Sequence, residues 1–132
     1  MPTHIAVDHE RRIASVEVTG HLEIAEMLGT VDEVARQIAG NPGYSVLSDH
    51  RALETPLTPE QATQLLAHLS VSGGALIGAK WAIVVSKPAS YGMMRLLSAR
   101  AEELPMSVQA FWDRDEATAW LTGGPSTLDS TA

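Results

Sequence analysis

The chain contains 132 residues, with 16 acidic residues against nine Lys and Arg, so its formal net charge is −7 with histidine neutral. This length is typical of one domain with its own core. The acidic balance argues against a nucleic-acid binder, which would carry a basic face, and zero cysteine excludes disulfides and thiol chemistry. The longest apolar run, residues 81–85, is far shorter than the roughly 20 residues of a membrane helix. Residues 1–12 contain no apolar signal-peptide core, so we expect a cytoplasmic protein without a membrane span.

The chain begins with two segments in which apolar and polar residues alternate, Thr3–Asp8 and residues 12–18. Alternation with period two predicts half-buried strands, and the polar residues 9–11 between them predict an antiparallel hairpin. After Gly20, apolar residues recur at steps of three and four, which predicts an amphipathic helix that ends at residues 40–43. The apolar stripe of this helix consists of Ile24, Leu28, Val31, Ala35 and Ile38.

The middle of the chain continues with a strand, a loop and a helix. Residues 44–49 predict the third strand, and residues 50–57 a loop. Thr58 then precedes Pro59 and stands three residues before Gln61, which is the pattern of a capping box at a helix start. Its predicted buried stripe comprises Ala62, Leu65, Leu66 and Leu69, and Gly73 and Gly74 mark its end.

The last third of the chain predicts two more strand–helix pairs. Residues 80–86 are apolar on both faces, which is typical of an interior strand. A helix follows to about Glu103, before Pro105, and residues 106–111 alternate as a fifth strand. Asp113 begins a short final helix. We therefore expect one domain over residues 1–122 and a flexible tail over residues 123–132.

The element order is ββαβαβαβα, which predicts an α/β domain. Strands that alternate with helices indicate parallel pairing, so the sheet should be mixed, five-stranded and mostly parallel. The first, second and fifth strands carry polar residues on one side, among them Glu17, Ser107 and Gln109. We therefore expect the helices mainly on one face of the sheet.

The element order and the acidic Asp49 at the end of the third strand resemble the STAS fold. The chain is similar to small bacterial STAS/SpoIIAA-like proteins of largely unassigned function, related in fold to anti-sigma-factor antagonists. The segments that carry the resemblance are Leu47-Ser48-Asp49-His50-Arg51, Tyr91-Gly92-Met93-Met94-Arg95, and Phe111-Trp112 leading to Ala119-Trp120-Leu121. The resemblance covers residues 3 to about 122, and it implies a regulatory or binding module rather than an enzyme.

The phosphorylation site of the antagonists is not reproduced in this chain. Those proteins present a serine at the start of the second helix within an Asp-Ser-Ser-Gly-like segment. Here the corresponding residues are Pro56-Leu57-Thr58-Pro59. Thr58 is therefore the one candidate phosphoacceptor in this region, and helix capping is the competing role for its hydroxyl.

Motifs for catalysis, metal binding and cofactor binding are missing from the sequence. No GxGxxG follows a predicted strand, and GGALIGAK at residues 73–80 lacks the ending of a phosphate loop and precedes a strand. The five histidines do not form a helix-borne ligand pair. Ser48, Asp49 and His50 are adjacent, so in an extended chain they point to alternating sides. We expect no cofactor and no metal.

Several polar residues follow the carboxyl ends of the predicted parallel strands. Ligands of open α/β sheets collect at this edge, and helix N-termini there favour anions. This predicts a pocket for a small anionic or lipid-like, amphiphilic ligand. The alternative is that Arg51 pairs with Asp49 or Glu54 and orders the loop. The residues expected at this edge are His21, Asp49, His50, Arg51, Lys87, Tyr91, Arg95 and Trp112.

Three functions are compatible with these observations. The one we favour is a non-catalytic binding or regulatory module that engages a protein partner or a small anionic or amphiphilic ligand at this edge. An enzyme that uses the Asp49-His50-Arg51 loop is an alternative, since His moves protons near neutral pH and Arg holds anions. A self-associating interaction protein, such as a homodimer formed through the edge strand or the less covered sheet face, is the other.

Overall fold

The protein forms a five-stranded sheet and four helices in the order that the sequence predicts. The structure is a computed structural model that describes residues 3–21, 23–39, 43–55, 57–72, 78–100 and 106–123. Its elements are β1 (Thr3–Asp8), β2 (Ile13–Gly20), α1 (Ile24–Ile38), β3 (Ser45–Leu53), α2 (Pro59–Ser72), β4 (Lys80–Val84), α3 (Pro88–Arg100), β5 (Ser107–Phe111) and α4 (Arg114–Thr122).

The sheet is mixed, and its strands lie in chain order from β1 to β5. β1 pairs with β2 in antiparallel fashion, and the three remaining pairs are parallel. β3 and β4 are interior strands, which agrees with the continuous apolar sequence of β4. The predicted fold class, α/β with a mixed and mostly parallel sheet, is confirmed.

Three helices cover one face of the sheet and one helix covers part of the other. The large core cluster joins the sheet to α1, α2 and α3, whereas a smaller cluster packs α4 on Leu47, Ala82 and Val84. The polar residues that predicted a less covered face are exposed as expected; they are Glu17, Ser107 and Gln109.

The buried stripe of α1 differs in part from the predicted stripe. Val31 and Ile38 are buried as expected, but Met27 and Val34 take the other fully buried positions. Their spacing of 27, 31, 34 and 38 follows one helical face, whereas Ile24 and Leu28 are only partly buried at its margin. The face of α1 that packs against the sheet is therefore turned slightly toward Met27 and Val34 and away from Ile24, compared with the predicted face.

β3 is longer than the sequence predicted, and this changes the setting of the candidate residues. The strand extends through His50 and Arg51 to Leu53, because β2 continues to pair with it at Ala52 and Leu53. Residues 50–53 are therefore strand and not the predicted loop. Conversely, β4 ends at Val84, two residues before its predicted end.

A β-bulge interrupts the pairing of β2 with β3 at the candidate site. Glu17 pairs with Asp49 and Thr19 pairs with Ala52, so His50 and Arg51 together face the single residue Val18. Bulges bend a strand and redirect its side chains. The bulge lets His50 and Leu53 both lie on the face covered by α1–α3, which strict alternation would forbid.

Some predicted features lie outside the described residues. These are the helix end at residues 40–42, the glycines at 73 and 74, Pro56, the end of the third helix at residues 101–105, and residues 124–132 of the predicted tail.

Candidate functional site

A buried carboxylate lies in the middle of β3, level with the carboxyl ends of β4 and β5. The Asp49 side chain is 9% exposed and is held by two arginines. Arg51 donates from Nε to Oδ1 at 3.0 Å, from Nη2 to Oδ2 at 2.7 Å and from its backbone N–H to Oδ1 at 3.1 Å. Arg114, at the start of α4, donates from Nη1 to Oδ2 at 3.1 Å. Asp49 thus connects β3 to the helix on the less covered face.

The arginines keep Asp49 ionised. Burial of the carboxyl group opposes ionisation, but the hydrogen bonds and charge of Arg51, with a further hydrogen bond from Arg114, outweigh burial and lower the pKa of Asp49. In turn, Asp49 raises the pKa of the Arg51 guanidinium, and Asp113 and Glu17 add smaller effects in the same direction. The site is therefore a compensated charge cluster.

An open hollow of about 310 Å³ adjoins this cluster. Its walls include two carboxylates, those of Glu17 and Asp49, beside the single guanidinium of Arg51. Arg51 pairs with Asp49, which is one of the two arrangements left open for this arginine. The hollow consequently has no excess of positive charge with which to hold an anion.

His50 lies on the opposite face of the sheet from Asp49 and Arg51. It lines a cavity between the sheet and α1–α3 together with Ser48 and Trp81. Its Nδ1 atom is buried and has no hydrogen-bond partner. Burial lowers the pKa of His50 to about 4, although the charge of Asp49 acts in the opposite direction. The imidazole is therefore neutral at pH 7.

Lys87 and Ser86 connect the ends of β3 and β4. Lys87 Nζ donates to the carbonyl oxygens of Leu53 at 2.7 Å and Glu54 at 2.9 Å, and Ser86 Oγ donates to the Arg51 carbonyl oxygen at 3.0 Å. The ammonium group of Lys87 thus binds two backbone carbonyl groups at the end of β3. This is a structural role at the predicted edge.

Three further candidates form a cluster at the same edge, which we call the aromatic patch: Tyr91, which is partly buried, and Arg95 and Trp112, which are exposed. The rings of Tyr91 and Trp112 are stacked, with centroids 4.5 Å apart and an angle of 19° between their planes. The guanidinium of Arg95 lies 5.9 Å from the centroid of the Tyr91 ring. Trp112 is 48% exposed. The patch joins the end of β5 to the first two turns of α3.

His21 contacts Glu23 and not the residues of the aromatic patch. Its side chain is 61% exposed, and Nε2 is 3.1 Å from Glu23 Oε1. Of the eight candidates, the structure therefore joins Asp49 with Arg51 and joins Tyr91 with Arg95 and Trp112. It places His50 in the cavity on the other face.

Thr58 forms the predicted capping box at the start of α2. Its Oγ1 accepts from the backbone N–H of Gln61 at 3.1 Å, and Gln61 Oε1 accepts from the backbone N–H of Thr58 at 3.0 Å. The hydroxyl thus satisfies one of the free N–H groups of the helix. Whether it is also phosphorylated stays a prediction.

Arg114 was missed by the sequence reasoning. It follows β5 by three residues and begins α4, so it stands at the same strand edge as the other candidates. Its basic charge at that position was the available signal. It was overlooked because the start of a short final helix suggested capping alone.

The part of the chain that the structure describes contains no group of three or more His, Asp or Glu side chains arranged to hold a metal ion. Within the same residues, no helix is both long and apolar enough to cross a membrane.

Comparisons with known proteins show the fold. No family model matches the chain, and no curated protein matches it either. Among solved structures, an uncharacterised DUF3478-family protein with a SpoIIAA-like fold from Shewanella loihica aligns with a TM-score of 0.62 at 18% identity, over 90% of this chain and 91% of that one. A chain from the complex of the diguanylate cyclase SiaD with its activator SiaC, from Pseudomonas aeruginosa, aligns with a TM-score of 0.40 at 16% identity. The alignment covers 83% of this chain and 92% of that one. The likeness to the Shewanella loihica protein shows that this chain has a SpoIIAA-like fold, as its sequence resemblance implied.

Proposed function

We propose that this protein is a non-catalytic cytoplasmic module that regulates or recruits a protein partner, which it binds through the aromatic patch of Tyr91, Arg95 and Trp112. The observation that carries this proposal is the stacked Tyr91–Trp112 pair, of which Trp112 is 48% exposed at the sheet edge. Most large apolar side chains elsewhere in the described chain are buried.

The composition of the patch favours a protein partner. Trp, Tyr and Arg are the residues most enriched at positions that dominate the free energy of protein–protein binding. Stacking on Tyr91 restricts the Trp112 ring before any partner arrives, so less side-chain entropy is lost on binding. Arg95 adds a charged group beside the apolar rings, which suits a partner with a carboxylate at its rim.

The charges at the same edge favour a protein over a small anion. Arg51 is paired with Asp49, and Lys87 is engaged by two carbonyl oxygens. These contacts offset much of the positive charge of Arg51 and use two of the three N–H donors of the Lys87 ammonium group. Arg95 is the candidate cation that lies exposed over a ring instead.

The positions of Asp49, His50 and Arg51 support the non-catalytic assignment. An enzyme built on this segment needs the proton carrier and the anion holder in one pocket. Here His50 lines the cavity under α1–α3, and Arg51 lies with Asp49 on the face of α4. The sheet separates them.

The test begins with capture of binding proteins from a lysate of the source cells, followed by calorimetry with each purified candidate. We expect Trp112→Ala to weaken the complex by about tenfold or more, as is typical of aromatic side chains that a partner buries at the centre of an interface. Leu96→Ala is the matched control, because Leu96 is 39% exposed on the same helix as Tyr91 and Arg95 but belongs to neither the stack nor the patch. Its affinity should stay within about threefold of the parent value.

Two results would contradict the proposal. In one, no purified candidate discriminates Trp112→Ala from Leu96→Ala. In the other, inorganic phosphate shifts the resonances of Arg51 and Lys87 in a saturable way while no protein binds, which would favour an anion site at this edge.

A further inference from the structure

Within the described part of the chain, β1 is a strand with one unpaired edge. It pairs with β2 along one side, and the strand order places it at the margin of the sheet. It contains no proline, no lysine and no bulge, three features that often block such an edge against further pairing. The outward N–H and C=O groups of β1 can therefore pair with another strand.

The two faces of β1 differ in their chemistry. Ile5 and Val7 are half-buried and pack against the large core cluster, on the side of α1–α3. His4, Ala6 and Asp8 alternate with them and are exposed on the less covered face. A strand that pairs with β1 must match this division into an apolar and a polar face.

The β1 strand of a second copy matches it in two antiparallel registers. Residues that stand opposite each other in such a pair lie on the same face of the sheet, and two such registers keep all but one residue of β1 paired. One register has its two-fold axis at Ile5 and leaves Asp8 without an opposite strand residue. The other has its axis at Ala6 and places His4 opposite Asp8.

Charge favours the register with its axis at Ala6. His4 of each copy stands opposite Asp8 of the other, so an imidazole meets a carboxylate at both ends of the pair. Asp8 Oδ1 accepts from the backbone N–H groups of Glu10 at 3.0 Å and Arg11 at 3.1 Å, whereas Oδ2 lies 3.9 Å from Arg11 Nε in a loose, exposed contact. Asp8 Oδ2 can therefore accept a hydrogen bond from the imidazole.

We propose that this protein forms a two-fold symmetric homodimer, in which the β1 strands of two copies pair in antiparallel fashion about Ala6. The two five-stranded sheets then become one continuous sheet. A second copy is the favoured occupant because β1 supplies both the imidazole and the carboxylate, placed symmetrically about one small residue. This is the self-complementarity that a two-fold interface requires.

The dimer goes beyond the proposed partner binding and is compatible with it. β1 and β5 are opposite edges of the sheet. The aromatic patch stands at the end of β5 and on α3, so the two patches lie toward the far ends of the joined sheet and stay accessible. A dimer therefore presents two patches, which raises the avidity for a partner that is itself dimeric.

Sedimentation equilibrium of the full chain tests the dimer. We expect a reversible dimer with a dissociation constant of about 10 μM, since two short strands form an interface at the low end of specific sizes. Ala6→Lys sets two like charges at the axis and should raise this constant by about tenfold or more. Gln109→Lys is the matched control, because Gln109 is exposed on the same face but on β5, and it should leave the constant unchanged.

Substitutions at His4 test the charge pairing. His4→Glu should raise the dissociation constant by about fivefold, because it places like charges opposite each other at both ends of the pair. His4→Lys should lower the constant. Effects of the same sign in both variants would overturn the pairing with Asp8 that selects this register.

Engineered thiols test the register directly, because the chain contains no cysteine. Ala6→Cys places two thiols across the axis, with Cα atoms about 4.5–5.5 Å apart, which is within the range of a disulfide. His4→Cys is the matched control on the same strand and face. Its two copies stand about 14 Å apart in the proposed register, so Ala6→Cys should cross-link on oxidation and His4→Cys should not.

The proposal is overturned if the wild-type protein sediments as a monomer at every concentration, if Gln109→Lys dissociates the dimer as strongly as Ala6→Lys, or if the two thiol variants cross-link at equal rates. Circular dichroism verifies that each variant is folded. Trp112→Ala should dimerise as the wild-type protein does, and Ala6→Lys should keep its affinity for a partner per aromatic patch. Failure of the dimer and failure of the proposed partner surface are therefore distinguishable.

Discussion

Asp49 and His50 are neighbours in the chain, yet their side chains lie on opposite faces of the sheet. Asp49 accepts from Arg51 and Arg114 on the face of α4, and His50 lines the cavity under α1–α3. The two residues therefore experience opposite electrostatic conditions. Arginine contacts lower the pKa of the carboxyl group and keep it charged, whereas burial lowers the pKa of the imidazole and keeps it neutral.

We expect Asp49→Asn to destabilise the protein by about 1–3 kcal/mol. The substitution leaves two guanidinium groups without their shared carboxylate at a buried position, and their partial exposure moderates the cost. Urea denaturation followed by circular dichroism measures the change. Glu33→Gln is the control, because its ion pair with Arg36 is exposed on α1 and should leave the midpoint unaltered. An equal effect of both substitutions would show that the cluster contributes no special stability.

We expect the free energy of unfolding to fall as the pH is lowered from 6.5 toward 4. The folded-state pKa of His50, about 4, lies below the ordinary value of 6.5, so the unfolded chain binds the proton first. The stability that follows from the lowered pKa of His50 is fully present above pH 6.5. Between pH 6.5 and 4 the free energy of unfolding falls by at most about 1.4 kcal/mol per pH unit because of this residue. Denaturation midpoints at half-unit pH steps measure it.

His50→Leu should flatten this dependence. Loss of the Asp49 contribution occurs in a separate window, below the ordinary aspartate value of 3.8, because that pKa is also lowered. An unchanged slope between pH 6.5 and 4 in His50→Leu would mean that other groups cause it.

Thr58→Ala should destabilise the protein by about 1 kcal/mol, because the first turn of α2 loses the acceptor for the Gln61 N–H. Thr58→Ser keeps the hydroxyl and should retain most of the stability. Thermal unfolding of both variants makes the comparison. Equal melting temperatures for the alanine and serine variants would show that the capping hydrogen bond contributes no stability. That result would favour the competing role of Thr58 as a phosphoacceptor.

Ser48→Ala should cost about 1–3 kcal/mol, because it leaves the buried Trp81 N–H without its acceptor. In Ser48→Ala/Trp81→Phe neither polar group remains, so the double variant should be more stable than the sum of the two single effects predicts. Chemical denaturation of the wild-type protein, the two single variants and the double variant measures this double-mutant cycle. Strict additivity would contradict an energetic link between the two side chains.

Much of the architecture was predictable because local patterns and tertiary packing agree in this chain. The alternation of β1 and the capping box at Thr58 were both confirmed by the structure. The length of β3 was not predictable, since His50 and Arg51 read as polar loop residues until their pairing with β2 is known. Self-association through the edge strand β1 stays a prediction.

The sequence by itself determined the order of strands and helices, the mostly parallel sheet and the list of polar residues at one edge, because periodicity and capping are local properties of the chain. Only the tertiary structure decided which of those residues share a site. A single extra residue in β3 reverses which face the following side chains occupy. Arg114 comes from α4, 65 residues beyond the Asp49 that it contacts. No local sequence pattern predicts the bulge or the contact between Arg114 and Asp49, since both arise when separate segments pack together.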